Sequence, residues 1–179
     1  VGNAQIDTSV VKYGTSSMYF DGTGDYLTAY RNFSIAASEN FTVEGWFYLT
    51  AAQANYRMIV SDGTKYFTVN SGGMEIQFGG VSGTIANATY AFSQNIWYHI
   101  AVVRNNNVVA IYVNGIALTM SQASQSAAFL DTGTLLYISR YTSGTDYPWF
   151  GYMDDLRITK GVARYVGNFT PPVARMPNQ

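Results

Sequence analysis

Apolar and polar residues alternate with a period of two along most of this chain, a pattern typical of β-strands with one buried face. The clearest block covers residues 41–49. One face of this block carries Phe41, Val43, Gly45, Phe47 and Leu49, and the other carries Thr42, Glu44, Trp46 and Tyr48. We expect the first face to lie in a core between two sheets and the second face to lie on a sheet surface.

Strand-like runs separated by turn residues recur from one end of the chain to the other. Residues 97–104 are apolar on both faces in their middle, which indicates a central strand, and Asn114-Gly115 is a strong hairpin signal. Further strands are predicted at 17–22, 26–30, 58–61, 66–70, 74–78, 89–92, 108–113, 116–120, 135–140 and 150–159. Single helical turns are expected only near 123–129 and 162–165. This pattern predicts an antiparallel β-sandwich or jelly roll.

Composition indicates which classes of molecule this chain can bind. The chain has 179 residues, 47% hydrophobic residues, 12% charged residues, a net charge of −1 and no cysteine. Without a run of Lys or Arg we expect no nucleic-acid binding, and without a long apolar stretch we expect no membrane insertion. A surface of neutral polar groups suits sugar hydroxyls or a protein assembly. We expect one sandwich domain over residues 1–172, with 173–179 as a tail or linker after Pro171-Pro172.

Several of these blocks, in this order, carry a family resemblance. They are Ser17-Met18-Tyr19-Phe20-Asp21-Gly22, Phe41-Thr42-Val43-Glu44-Gly45-Trp46, Trp97-Tyr98-His99-Ile100-Ala101-Val102-Val103-Arg104, Tyr112-Val113-Asn114-Gly115 and Phe150-Gly151-Tyr152-Met153-Asp154-Asp155-Leu156-Arg157-Ile158-Thr159. Together they resemble the laminin-G-like branch of the concanavalin A-like lectin/glucanase superfamily. The resemblance implies a sandwich whose first and last strands are neighbours in one sheet, and which usually binds glycans or proteins.

The C-terminal part of the chain carries a more specific resemblance. Residues 158–165 and 168–172 resemble versions of this domain in phage and marine-virus structural proteins. This resemblance implies a place on a virion or on an extracellular or cell surface. It also implies structural proteins of the same assembly as partners, within a larger particle that can be oligomeric.

The same resemblance implies a structural calcium site. Asp21 matches the aspartate of the turn after the first strand, and Asp154 matches the first acid of the Asp-Asp pair in the last strand. Carboxylate oxygens are ligands that Ca²⁺ prefers. The alternative is that Asp21 is only a turn residue and that Asp155 pairs with Arg157 or Arg104.

Aromatic residues supply the candidate ligand contacts, because sugar rings stack on flat aromatic faces. In the loop 140–149 we expect Tyr141, Asp146 and Tyr147 to contact a ligand, and Trp149 to lie in the core. Trp46 and Tyr48, which share a strand face with Glu44, form a second candidate patch.

Catalysis has little support in the sequence. The lone His99 is expected to be a buried, hydrogen-bonded structural residue, and the glucanase pattern Glu-x-Asp-x-x-Glu is absent. A carboxylate dyad across strands, such as Glu44 with Glu75, stays open. The leading interpretation is a non-catalytic binding or adhesion module for a glycan or a partner protein. The alternatives are an architectural decoration domain of a capsid or fibre and, third, a glycoside hydrolase.

Overall fold

The computed structural model describes residues 1–51, 56–70, 75–80, 83–123, 127–141 and 147–177; within these ranges the side chains of 75, 76, 80, 83–85 and 121–123 are not described. The described part contains fourteen strands and no helix. In chain order the strands are β1 (Gln5–Asp7), β2 (Ser17–Asp21), β3 (Leu27–Tyr30), β4 (Phe41–Leu49), β5 (Arg57–Ser61), β6 (Lys65–Asn70), β7 (Glu75–Gly80), β8 (Gly83–Thr89), β9 (Trp97–Asn105), β10 (Val108–Val113), β11 (Ile116–Ala117), β12 (Met120–Ala123), β13 (Leu135–Ile138) and β14 (Phe150–Lys160).

These strands form two seven-stranded sheets. The first sheet has the order β1-β2-β14-β4-β9-β10-β11, and the second has the order β12-β8-β7-β6-β5-β13-β3. The strand pairs described in both sheets are antiparallel. The predicted antiparallel sandwich is therefore confirmed. So is the expectation that the N-terminal and C-terminal blocks are neighbours, because β14 lies between β2 and β4.

The core lies between the two sheets. Phe41, Val43 and Phe47 are fully buried there, on the face of β4 that the alternation predicted. The ring of Phe41 packs on Phe78 and Phe129 at centroid distances of 5.3 and 5.6 Å. Burial of each such side chain contributes about 2–3 kcal/mol, so this interleaving of residues from both sheets holds the sandwich together.

Some predicted elements shift or disappear. The strand expected at 89–92 lies earlier, at Gly83–Thr89, and residues 162–165 are not helical. Strand β1 was not predicted, because its three residues lie on an exposed edge and show no amphipathic pattern. At the other end of the chain, the Met176 amide donates to Asp155 Oδ2 at 2.8 Å, so the predicted tail contacts the sandwich.

Two terminal segments lie over part of the outer face of the first sheet, the face turned away from the core. From the N-terminal side, the Lys12 ammonium group sits 3.7 Å from the ring centroid of Trp46. From the C-terminal side, the Val162 carbonyl accepts a hydrogen bond from Thr42 Oγ1 at 3.0 Å. The described residues contain no helix long and apolar enough to cross a membrane.

Candidate functional site

A row of four aromatic residues crosses the outer face of the first sheet. The strand register places Tyr19 opposite Tyr152, Tyr152 opposite Tyr48, and Tyr48 opposite Trp97. Their ring centroids are 4.9, 5.6 and 5.4 Å apart in that order. We call this row the aromatic ladder. Directly opposite residues of antiparallel strands share a face, so the ladder follows from the strand order β2-β14-β4-β9.

The ladder is partly open. Tyr19, Tyr48 and Trp97 are partly exposed, whereas Tyr152 between them is only 8% exposed. The Tyr152 hydroxyl lies 3.4 Å from Ser9 Oγ, so the N-terminal segment passes beside the middle of the row. Partly exposed rings fixed by their neighbours can pack against a ligand with little loss of side-chain entropy.

Polar groups surround the Tyr19 end of the ladder. Gln5 pairs with Tyr19 and continues the row onto the edge strand β1, so it shares the outer face. Asp7 lies two residues from Gln5 on β1, and Asp21 lies two residues from Tyr19 on β2, so both carboxylates belong to the same face. This end therefore offers an amide, a phenol hydroxyl and two carboxylates beside an aromatic ring.

The shifted pKa values of Asp7 and Tyr19 fix the protonation states of both side chains at neutral pH. Hydrogen bonds from the hydroxyl and the amide of Ser9 hold the pKa of the Asp7 carboxyl group below its usual value, so it is ionised at neutral pH. Burial raises the pKa of the Tyr19 phenol, and interactions with Tyr152 and with the nearby carboxylates, Asp21 first, raise it further. Tyr19 therefore keeps its proton and can donate a hydrogen bond.

Sequence reasoning found only one member of the ladder, Tyr48. Tyr19, Tyr152 and Trp97 each lie in blocks that the sequence singled out, but as separate strands. The resemblance implied that the first and last strands are neighbours, but the pairing of β14 with β4 and the register that aligns the rings were not predicted.

The expectation of an exposed patch around Trp46 is wrong. Trp46 is 6% exposed and Glu44 is fully buried, because the terminal segments cover this part of the outer face. Lys12 packs over the face of the Trp46 indole, and the Tyr13 ring meets it edge-on at 5.8 Å. Of the predicted patch, only Tyr48 remains accessible enough to meet a ligand.

Beneath the C-terminal segment, Glu44 is the centre of a buried polar network. Its Oε1 atom accepts hydrogen bonds from Arg157 Nε at 3.1 Å and from Nη2 at 2.7 Å, and its Oε2 atom accepts one from the Tyr165 hydroxyl at 2.7 Å. His99 Nε2 lies 3.2 Å from the same Oε2 atom. His99 is fully buried, as predicted, and contacts Glu44.

This network sets the charge state of Glu44. Burial alone would raise the pKa of its carboxyl group, but the polar contacts from His99, Tyr165 and Arg157 outweigh burial and leave the pKa below its ordinary value. Burial, together with the Glu44 carboxylate, strongly raises the pKa of Tyr165, so that hydroxyl stays protonated. The network ties the C-terminal segment to the sheet.

The second sheet carries a cluster of tyrosines on its outer face. Phe67 and Val69 face the core, so Tyr66, which directly precedes Phe67, lies on the other side of β6. Its ring meets Tyr141 at 5.5 Å and Tyr56 at 6.3 Å, and Tyr56 meets Tyr147 at 5.3 Å. We call Tyr56, Tyr66, Tyr141 and Tyr147 the tyrosine cluster.

The structure corrects part of the prediction that the loop 140–149 contacts a ligand. Tyr141 is 8% exposed, so it packs as part of the protein and is not the exposed contact that the sequence suggested. Tyr147 is partly exposed, and its carbonyl accepts the Met58 amide at 2.9 Å. Asp146 lies outside the described residues. Trp149 is fully buried, as predicted.

The two predicted calcium ligands do not fit one shared site. The register places Asp21 opposite Phe150, four residues from Asp154 along β14. The Cα atoms of Asp21 and Asp154 are therefore about 13 Å apart. Asp154 Oδ2 accepts the amides of Lys12 and Tyr13 at 3.3 and 3.0 Å, and Asp21 Oδ1 accepts the Thr23 amide at 2.8 Å. No group of three or more potential metal-ligating side chains occurs in the described part of the chain.

The structure also shows the partners of Asp155 and of the two arginines that the sequence offered for it. Arg157 binds Glu44, and Asp155 accepts the Met176 amide, so the alternative pairing of Asp155 with Arg157 is wrong. Arg104 donates instead to the carbonyls of Glu39 and Ala36, at 2.7 and 2.8 Å.

A hydrolytic dyad of Glu44 and Glu75 is not supported. Glu44 points away from the core on the first sheet, whereas Glu75 begins β7 in the second sheet, on the far side of the core. On the ladder, Asp7 lies opposite Ser17, four residues along β2 from Asp21. The Cα atoms of Asp7 and Asp21 are therefore about 13 Å or more apart, so the backbone does not bring them together as the close carboxyl pair, about 5–9 Å apart, that glycosidases use.

Comparison with known structures finds the same fold in carbohydrate-related proteins. Domain 4 of a GH43 extracellular arabinanase from Geobacillus stearothermophilus, in complex with arabinotriose, matches with 14% identity and a TM-score of 0.66, over 91% of this chain and 78% of that chain. A candidate carbohydrate-binding protein from Bacteroides ovatus matches with 21% identity and a TM-score of 0.57, over 78% of this chain. The match spans only 44% of the Bacteroides protein.

A carbohydrate-binding module from Bacillus subtilis matches with 13% identity and a TM-score of 0.50, over 88% of this chain and 92% of that chain. At these identities the similarity shows a shared fold. Comparison with curated protein sequences gave no match. A family model of the laminin G type matches residues 21–163. The chain therefore belongs to the concanavalin A-like lectin/glucanases superfamily.

Proposed function

We propose that this domain is a non-catalytic glycan-binding module and that the aromatic ladder is its binding surface. The observation that carries the proposal is the cross-strand row of Tyr19, Tyr152, Tyr48 and Trp97, partly open and next to the carboxylates of Asp7 and Asp21. Sugars pack their apolar faces on aromatic rings and need nearby acceptors for their hydroxyls. The carbohydrate-related descriptions of the similar structures support the same function.

The test is binding to insoluble and soluble polysaccharides with three matched alanine variants. Trp97→Ala and Tyr48→Ala remove ladder rings, and Tyr30→Ala removes a tyrosine that is 89% exposed on the edge strand β3 of the other sheet. A stacked ring in a desolvated contact is worth about 1–2 kcal/mol or more on truncation. We expect the ladder variants to lose about tenfold or more in affinity, with Tyr30→Ala unchanged.

The tyrosine cluster is the competing location. Tyr147→Ala should leave affinity unchanged if the ladder binds the glycan. Loss of binding in Tyr147→Ala together with full binding in both ladder variants would move the site to the loop that the sequence suggested. Reducing-end release from a bound polysaccharide would overturn the non-catalytic part of the proposal.

An architectural role is the second candidate, and one observation favours it. Ile6 on β1 and Tyr30 on β3 are 72% and 89% exposed, and each lies on the edge strand of its sheet. Exposed strand edges with apolar side chains suit pairing with another chain. Light scattering of the purified domain tests this role. A stable oligomer that Ile6→Lys or Tyr30→Lys dissociates would favour it, whereas a monomer at all concentrations would not.

The place of the domain on a virion or on an extracellular or cell surface stays a prediction from the sequence resemblance. A glycan-binding module or a decoration domain would both act at such a surface. Immunogold labelling of intact particles and cells with an antibody to this domain is the direct test.

A further inference from the structure

We propose that the aromatic ladder takes an uncharged, linear glycan chain that lies across the strands, with its path running from Trp97 to Tyr19. This inference rests on the proposed glycan-binding function and names the class of ligand.

The direction and length follow from the register. The four rings occupy one row perpendicular to the strands, on β9, β4, β14 and β2. Neighbouring strands are about 4.8 Å apart, so the row spans about 14 Å. This is longer than a single sugar ring, so the surface matches several consecutive sugars of an extended chain better than a terminal sugar held end-on.

The ring orientations suit such a chain. Successive rings of the ladder are inclined to one another by 43°, 86° and 59°, so the row presents ring faces and ring edges in turn. Ring faces pack against the C–H faces of sugars, and the hydroxyls of the two partly exposed tyrosines, Tyr19 and Tyr48, can meet sugar hydroxyls.

Charge selects the class of glycan. Asp7 and Asp21 flank the Tyr19 end on the same face, one on each side of the row. A carboxylate accepts hydrogen bonds from sugar hydroxyls but repels the carboxylate or sulfate groups of acidic glycans. Lys12 reaches the same outer face, but its ammonium group sits over the Trp46 ring, 3.7 Å from its centroid.

The first experiment compares neutral and acidic polymers by affinity electrophoresis and calorimetry. The neutral set is arabinan, xylan, β-glucan, galactomannan and methyl-esterified polygalacturonan; the acidic set is polygalacturonate, alginate and hyaluronan. We expect binding to one or more neutral polymers and binding at least about tenfold weaker to the acidic set. For the polymer that binds, affinity should rise about tenfold or more from disaccharide to tetrasaccharide and then level off.

The charge variants sharpen this test. The double variant Asp7→Asn/Asp21→Asn should shift the ratio of acidic to neutral affinity by about fivefold or more toward acidic polymers. Asp131→Asn, an exposed carboxylate near the second sheet, is the control and should shift nothing. Thermal melting checks that each variant folds. If the double variant does not fold, the salt dependence of the wild type replaces it, because screening should raise its affinity for acidic polymers.

The outcomes separate the two proposals. Binding to acidic polymers as tight as to neutral ones, or affinity that does not depend on chain length, would overturn this inference and leave the glycan-binding function standing. No binding to either set would overturn both.

Discussion

Arg157 and Glu44 face each other across β14 and β4, with Arg157 Nη2 2.7 Å from Glu44 Oε1. The contact comes directly after an irregularity in β14 between Asp154 and Arg157, where β14 has one more residue than β4. A β-bulge of this kind re-aims the residues that follow it. The bulge therefore helps to orient the Arg157 guanidinium toward the fully buried Glu44 carboxylate.

Glu44→Gln should destabilise the domain strongly. The change keeps the shape of the side chain but leaves Arg157 without its buried anionic partner, and breaking a buried ion pair in this way costs about 3 kcal/mol or more. Urea denaturation measures the loss. Glu39→Gln removes a more exposed carboxylate near Lys160 and should cost less than about 1 kcal/mol. Equal losses in the two variants would contradict the central place of Glu44.

Acid should destabilise the wild type through the same carboxylate. Because its folded-state pKa lies below the ordinary value of 4.5, the contribution of Glu44 to stability is present above pH 4.5 and is lost as the pH falls through the folded-state pKa. The free energy of unfolding of the wild type should therefore fall more steeply in this window than that of Glu44→Gln. Parallel curves for the two proteins would show that Glu44 does not govern acid stability.

Tyr165→Phe should destabilise the domain by about 1–2 kcal/mol, because the hydroxyl donates a hydrogen bond to a carboxylate. The pKa of Tyr165 is raised above its ordinary value of 10.0, so its contribution is present below pH 10.0 and is lost as the pH rises through the folded-state pKa. Denaturation at neutral and alkaline pH measures both effects. Tyr30→Phe, at an exposed position, should match the wild type throughout.

Gly151→Ala should disrupt the first sheet. Gly151 has φ +138°, and a Cβ atom there would lie 2.0 Å from the Tyr48 carbonyl oxygen. We expect a loss of about 3 kcal/mol or more, since both backbone strain and a steric clash contribute. Gly24→Ala is the matched control, because Gly24 also has positive φ but nothing lies within 4 Å of its Cβ position. Gly24→Ala should cost about 1 kcal/mol; a similar cost at both sites would mean that the sheet yields at Gly151.

The effect of Asp154 on the melting temperature should not depend on calcium. Asp154→Ala removes the acceptor for the amides of Lys12 and Tyr13, so we expect it to lower the melting temperature by the same amount in EDTA and in calcium. Scanning calorimetry in both buffers measures this. If chelation lowers the melting temperature of the wild type but not that of Asp154→Ala, a calcium site at Asp154 is restored, because a ligand that binds only the native state stabilises it.

Period-two alternation predicted the antiparallel sandwich, and the family resemblance implied that its first and last strands are neighbours. In β4 the alternation correctly assigned Phe41, Val43 and Phe47 to the core, because a buried strand face must be continuously apolar. It failed for the outer face of the same strand: Glu44 and Trp46 look exposed in the pattern and are buried in the structure. Alternation reports which residues share a face, and it does not report whether another segment of the chain covers that face.

The candidate site was predictable only in part, for a related reason. Tyr48 was singled out, but its ladder partners Tyr19 and Tyr152 lie far from it in sequence and meet it only through sheet order. Local density of aromatic residues pointed instead to Tyr141 and Tyr147, which pack on their own sheet beside Tyr56 and Tyr66. Local density measures proximity along the chain, whereas cross-strand rows depend on pairings between distant segments.

The position of β14 between β2 and β4 also constrains how the domain can be made. While a ribosome synthesises the chain, β2 and β4 emerge well before β14, which joins them and follows all the other described strands. Until then the facing edges of both strands have no partner, and exposed edges of this kind favour aggregation. We therefore expect the first sheet to close only after synthesis of Phe150–Lys160, and folding to be slow, as for other sandwiches rich in long-range pairings.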